Sequence, residues 1–163
     1  MNTIVKYINI LPFLLLALLS CEENKTTHPS AKGGEHIWAD TIIYEVLISN
    51  PDVLNEWETT KIKKVRQKEL VDDLFEMIYQ GKKKAFDYYT NKALTIADIQ
   101  ELEEEDRFSR DRVGKLQFTE TWRYDESTEK FNKDVHSILL AYELYDNSNE
   151  LRGYKAAFYL KDF

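Results

Sequence analysis

From Leu116 onward, apolar and polar residues alternate with a period of two. Leu116, Phe118, Trp122 and Tyr124 fall on one side; Gln117, Thr119, Thr121 and Arg123 fall on the other. This is the pattern of a strand with one buried face. Asp125 to Lys130 reads as a turn. Val135 to Tyr145 repeats the alternation through Ile138, Leu140, Tyr142 and Leu144. Asp146 to Gly153, rich in Asn and Ser, reads as a second turn, and Tyr154 to Leu160 as a third strand. Short links between successive strands predict an antiparallel three-stranded meander at the C-terminus.

The preceding segment has a helical period. From about Thr59 to Gln80, the residues Ile62, Val65, Leu70, Val71, Leu74, Phe75 and Ile78 recur at helical spacing. Lys61, Lys63, Lys64, Arg66 and Lys68 face outward. Gly81 stands where a left-handed C-terminal residue is wanted, with Lys82, Lys83 and Lys84 beyond it. Ala85 to Tyr89 reads as a short aromatic strand. Thr95 and Asp98 have the spacing of a capping box for a second helix, whose apolar side is Ile96, Ile99 and Leu102. Glu103 to Asp106 reads as its solvated end, and Ser109 to Gly114 as a polar loop. Residues 36–48, HIWADTIIYEVLI, are apolar and β-branched, and length alone does not separate strand from helix there. Asn50-Pro51 marks a turn. Helices followed by strands predict an α+β fold, with helices packed on the C-terminal three-stranded meander, in one domain over residues 36–163.

The N-terminus carries one cation, Lys6, and an apolar run from Ile8 to Leu19. As a helix that run spans about 18 Å, against a hydrocarbon core of roughly 30 Å. It is too short to cross, and residues 1–20 read as a signal peptide. The run ends in Leu18-Leu19-Ser20-Cys21, which resembles the lipobox of bacterial lipoproteins. That resemblance implies a diacylglycerol on the Cys21 sulfur, cleavage before it and an acylated new amino terminus. More than one acyl chain gives stable anchoring. Cys21 is the only cysteine, so no internal disulfide forms. Residues 22–35 are polar, with Pro29, Gly33 and Gly34, and read as a tether between lipid and domain. Glu22 and Glu23 resemble the acidic signals that send some lipoproteins of the Bacteroidetes to the cell surface.

The formal net charge is −7, and loss of Lys6 makes the remaining chain one unit more negative. Nucleic acid binding by phosphate neutralisation is therefore not expected. His28, His36 and His136 show no zinc-ligand spacing. No nucleophile elbow or glycine-rich phosphate loop is present. Glu120 and Asp125 near Trp122 can be drawn as a glycosidase pair, but any acidic domain offers such pairs. No catalytic residue, metal ligand or cofactor is expected.

The segments LQFTETWRYDESTEKF (116–131), VHSILLAY (135–142) and ELRGYKAAFYLKDF (150–163) resemble the C-terminal part of the GldN/PorN family of the type IX secretion and gliding machinery of Bacteroidetes. The matching residues are Glu120, Trp122, Asp125, Ile138, Ala141, Phe158 and Tyr159. Upstream, segments 37–47, 70–89 and 94–102 follow the family's order. The chain departs from the family at His136, Tyr142 and Tyr159, where Arg, Pro and Trp are common. It is also short and bears its own lipid site, whereas a different subunit usually carries the lipid. The resemblance implies a non-enzymatic scaffold subunit, and the lipobox implies that lipid holds it in the outer membrane, on the periplasmic or surface side. Its partners would be other subunits of the apparatus and further copies of itself. Trp122, Tyr124, Phe158 and Tyr159 are the expected protein contacts, although alternating spacing favours a core position for Trp122. The competing expectation is a stand-alone lipoprotein that binds a peptide or glycan on Trp and Tyr faces.

Overall fold

Five antiparallel strands form one sheet in the order β1-β3-β4-β5-β2. The computed structural model describes residues 34–52 and 54–163; the expected signal peptide, Cys21 and the tether up to residue 33 lie outside them. The strands are β1 (Glu35–Leu47), β2 (Ala85–Phe86), β3 (Val113–Asp125), β4 (Lys130–Tyr145) and β5 (Leu151–Lys161). The helices are α1 (Glu56–Ile62), α2 (Gln67–Tyr79) and α3 (Ile96–Glu104), with a 3₁₀ turn at Arg110–Arg112.

This corrects the expected α+β fold with a three-stranded meander. The meander β3-β4-β5 is present, but it is the middle of a larger sheet, and strand dominates over helix. The apolar run that length could not assign is β1, paired with β3 from Glu35↔Asp125 to Leu47↔Lys115. β2 closes the other edge through Ala85↔Leu160 and Phe86↔Tyr159. Both pairings join segments far apart in sequence, so no local period reveals them.

From Leu116 onward the even positions of β3 carry the buried face, as the alternation requires, and the register shift between Val113 and Lys115 puts Val113 in the core as well. Leu116 joins Ile138, Leu140, Tyr142, Phe158 and Leu160 in a core completed by Val71, Leu74, Phe75 and Ile78 of α2 and Ile99 of α3. The α2 stripe at i, i+3, i+4 and i+7 is fully or almost fully buried. Each such side chain contributes about 1.5–3 kcal/mol. Phe75 sits at its centre, edge-on to Phe158 at 5.1 Å between ring centroids.

Local chemistry sets the element ends. Gly81 takes φ +67, its N–H donates to Ile78 O at 2.9 Å, and Lys82 N–H donates to Met77 O at 2.9 Å. This is the Schellman pattern that terminates α2. Thr95 and Asp98 form the capping box of α3. In both hairpins an aspartate organises the turn. Asp125 Oδ1 accepts from Ser127 N–H at 2.8 Å, and Asp146 Oδ1 accepts from Ser148 N–H at 2.8 Å.

Three helical-region expectations are corrected. The helix expected over Thr59–Gln80 is two helices, broken at 63–66, where a continuous helix would stack Lys64 on Lys68. Glu103 is not a solvated helix end: it accepts from Arg110 Nε at 2.5 Å and from the Tyr79 hydroxyl. Arg110 also reaches Asp72 at 3.1 Å and lies 4.3 Å above the Phe75 ring. The expected polar loop therefore ties α2, α3 and the start of β3 together, with Phe108 in the core.

Candidate functional site

The helices cover only part of the sheet's apolar face. They lie over the start of β3, the second half of β4 and the end of β5; the first half of β4, the second half of β3 and most of β1 have no helix above them. On this open half the even positions of β3 continue as Phe118, Glu120, Trp122 and Tyr124. The register sets them beside Tyr44 and His36 of β1 and Val135, Lys133 and Phe131 of β4.

Two irregularities shape this end. β1 breaks register between Ile37 and Ala39 and again between Ala39 and Ile42, with Thr41 at φ +58. Trp38, two residues beyond His36, lies on the apolar face by alternation, and the first break sets Ala39 opposite Trp122 beside it; Trp38 remains 62% exposed. Its indole stacks on Tyr124 with centroids 4.6 Å apart and planes at 17°, and on Phe131 at 5.8 Å. Trp122 meets Phe131 edge-on at 5.5 Å. The second irregularity is the register shift near His136 on β4, whose ring nitrogen lies 2.7 Å from Thr121 Oγ1 on the opposite face.

Beneath these rings lies a carboxylate. Glu120 is only 3% exposed. It accepts from the Tyr44 hydroxyl at 2.8 Å and from Trp122 Nε1–H at 2.9 Å, with Lys133 Nζ at 3.6 Å. Burial pushes the Glu120 carboxyl up, but the Trp122 and Tyr44 hydrogen bonds and the Lys133 charge outweigh it, so its pKa falls below the ordinary value. Burial and the bond to Glu120 raise the Tyr44 phenol. The Lys133 ammonium lies 4.9 Å from the Trp122 ring and 5.1 Å from the Tyr44 ring, within cation–π range.

The two faces of this end differ in charge. The aromatic face presents Lys133, itself 3.6 Å from Glu120, and at its rim the exposed carboxylate of Glu126 from the following turn. On the reverse face Arg123 holds Asp134 at 2.5 Å and Glu35 at 3.8 Å. Beside the rings, His36, Ile37, Trp38, Tyr124 and Glu126 line a shallow depression of about 340 Å³.

The residues expected as contacts separate into three places. Trp122 and Tyr124 belong to the aromatic end, both half-buried. Tyr159 lies on the reverse face, stacked on Phe86 at 5.5 Å and bonded through its hydroxyl to Asn91. Phe158 is fully buried under α2 and serves the core. Cys21 lies outside the described residues. Glu120 and Asp125, drawn as a carboxylate pair, point to opposite faces of β3, and Asp125 is occupied by its turn. Sequence reasoning missed Trp38, Phe131, Tyr44 and Lys133. The available signal was the cluster of aromatics at the ends of the apolar run 36–48 and of the turn 125–130.

Among the described residues no group of three His, Cys, Asp or Glu side chains gathers as a metal site, and no helix is long and apolar enough to cross a membrane. No protein-family model matches the chain, and no curated protein matches it.

Proposed function

We propose that this chain is a lipid-anchored, non-enzymatic scaffold subunit that binds another protein at a membrane, within a type IX secretion or gliding apparatus. The observation that carries the binding role is the open half of the sheet. It presents an aromatic surface centred on Trp38, Tyr124 and Phe131, where a layer of secondary structure would ordinarily sit. Exposed contiguous aromatic surface marks interaction sites, and Trp and Tyr are the residues that dominate them. The lipobox resemblance at Cys21 supports the anchor. The likeness of residues 116–163 to the GldN/PorN family supports the apparatus.

In-cell crosslinking of the lipidated protein, followed by mass spectrometry of what it captures, tests this reading. The expected result is recovery of type IX core subunits, lost in a Trp38→Ala/Phe131→Ala double variant that keeps its lipid. Recovery of none, where a known ring subunit does capture them, would overturn it. The Trp38–Tyr124 stack beside its shallow depression also favours a second reading, a stand-alone lipoprotein that stacks a glycan or peptide. A soluble glycan that raises the Tm of the chain would favour that reading.

A further inference from the structure

Resting on the reading of Cys21 as a lipid anchor, we infer that the β2 edge of the sheet is a docking surface for anionic lipid headgroups of the membrane that holds the chain.

The fold gathers five lysines there from three separate segments. Lys82, Lys83 and Lys84 lead from the stop of α2 into β2, Lys92 closes the turn after it, and Lys161 ends β5. The pairs Ala85↔Leu160 and Phe86↔Tyr159 set these segments side by side, and Asp87 N–H donates to Lys92 O at 2.9 Å. None of the five makes an ion pair among the described residues, whereas Lys61, Lys68, Lys115, Lys133 and Lys155 each do. The carboxylates on the same segments are Asp162 and Asp87, which accepts from Thr90 N–H at 2.7 Å. Glu76, in the last turn of α2, accepts from Gln80 Nε2 at 3.2 Å. The local balance is therefore positive, in a chain of formal net charge −7.

Rings accompany these cations. Lys161 Nζ lies 4.4 Å from the Phe86 ring and 5.2 Å from the Tyr159 ring, and Lys83 Nζ lies 4.5 Å from the Phe163 ring. Phe163 is 43% exposed and Tyr88 49%. Exposed rings among lysines suit a headgroup layer: the rings sit at its boundary and the ammonium groups meet its phosphates.

The direction of this edge selects the membrane over a soluble acidic partner. Glu35 pairs with Asp125 and Asp125 with Lys130, so the segment leading from Cys21 enters at the end of the sheet that holds the β3-β4 turn. β5 runs toward that same end, from Tyr145↔Leu151 to Ser137↔Lys161. Lys161 and Phe163 thus lead toward the anchored end, with Lys83 over Phe163. Trp57, 70% exposed on α1, sits at the opposite end, beyond Leu47. At physiological salt, charges more than about 8 Å away are largely screened. A surface at this edge therefore meets the lysines rather than the negative sum of the whole chain.

The test uses the full-length, lipidated chain on vesicles of phosphatidylcholine alone or mixed with phosphatidylglycerol. The fluorescent residue dansylalanine is placed singly at position 163 or, as the control, 57. The expected result is a blue-shifted, brighter emission from position 163 on the mixed vesicles only, reversed by high salt, with position 57 unchanged. Lys82→Gln/Lys83→Gln/Lys84→Gln should lower the fraction of shifted chains about tenfold, and Lys82→Arg/Lys83→Arg/Lys84→Arg should retain it. Equal emission from position 163 on the two kinds of vesicle, or a shift that survives the glutamine substitutions, would overturn the docking surface. So would a shift that grows with protein density, which marks a second copy, or one that soluble polyglutamate reproduces on phosphatidylcholine, which marks an acidic protein partner. Flotation with the phosphatidylcholine vesicles reads the anchor separately. A chain that sinks there overturns the lipid at Cys21; the same chain floating with the mixed vesicles retains the docking surface, and sinking with those too overturns both.

Discussion

The indole of Trp38 lies flat on the ring of Tyr124, with centroids 4.6 Å apart, yet the Trp38 side chain has most of its surface open to solvent. A stacked pair of this kind gives about 0.5–1.5 kcal/mol beyond area burial. Trp38→Ala is therefore expected to cost no more than about 1.5 kcal/mol. Trp122→Ala removes the indole donor from a buried carboxylate and is expected to cost about 2–4 kcal/mol. Urea unfolding of the two variants checks the order; equal losses would mean that Trp38 is structural.

Acid should weaken the fold through its hydrogen-bonded carboxylates. The pKa of Glu120 is lowered, as are those of Asp72, Asp98, Glu103 and Asp125. A depressed carboxylate contributes stability that is full above its unfolded value, about 4, and is lost as pH falls through the folded one. Stability should therefore be flat near neutrality and fall below about pH 5. Glu120→Gln should be less stable at pH 7 and show a shallower acid decline. A decline as steep as that of the parent would show that Glu120 does not contribute to it.

Arg110 joins Glu103 and Asp72 while covering Phe75. Because the side chain is partly solvent-exposed, its ion pairs are screened and the loss on removal is moderate. Arg110→Met, which keeps much of the apolar stem, is expected to cost about 1–3 kcal/mol, and Arg110→Ala more, through lost packing on Phe75. Thermal unfolding of both variants separates charge from packing.

A Cβ added at Gly114 would lie 2.5 Å from Glu143 Oε1 and 2.8 Å from Ser49 Oγ. Gly114→Ala must therefore displace Glu143 from its bonds to Ser49 and Tyr145. An expected loss of about 1–3 kcal/mol follows. It should be accompanied by easier ionisation of Tyr145, whose phenol the bond to Glu143 and its burial push up to about 12. Ultraviolet titration at high pH reads that change directly.

What could be read in advance was what local chemistry encodes. The alternation through Leu116 and Tyr142, the Gly81 stop and the Thr95–Asp98 box all appear where residue spacing places them. The width of the sheet could not be read, because Ile42 meets Glu120 and Phe86 meets Tyr159 only in the folded chain. The same holds for the aromatic end. Tyr124 was visible as one face of β3, but Trp38 meets it only through the pairing of β1 with β3, which no local period contains. Phe158 and Tyr159 are adjacent, so a strand must place them on opposite faces; they could not form one contact surface.

The bond from Glu126 to Gly34 has a mechanical consequence. Any load arriving through the N-terminal segment enters the sheet at the end of β1 and is directed along that strand. The hydrogen bonds between β1 and β3 run perpendicular to the strands, so such a pull shears many of them together rather than opening them in sequence. The attachment point thus favours a domain that withstands a pull through its N-terminal end better than a peeling force at the opposite edge, where β2 contributes only Ala85 and Phe86.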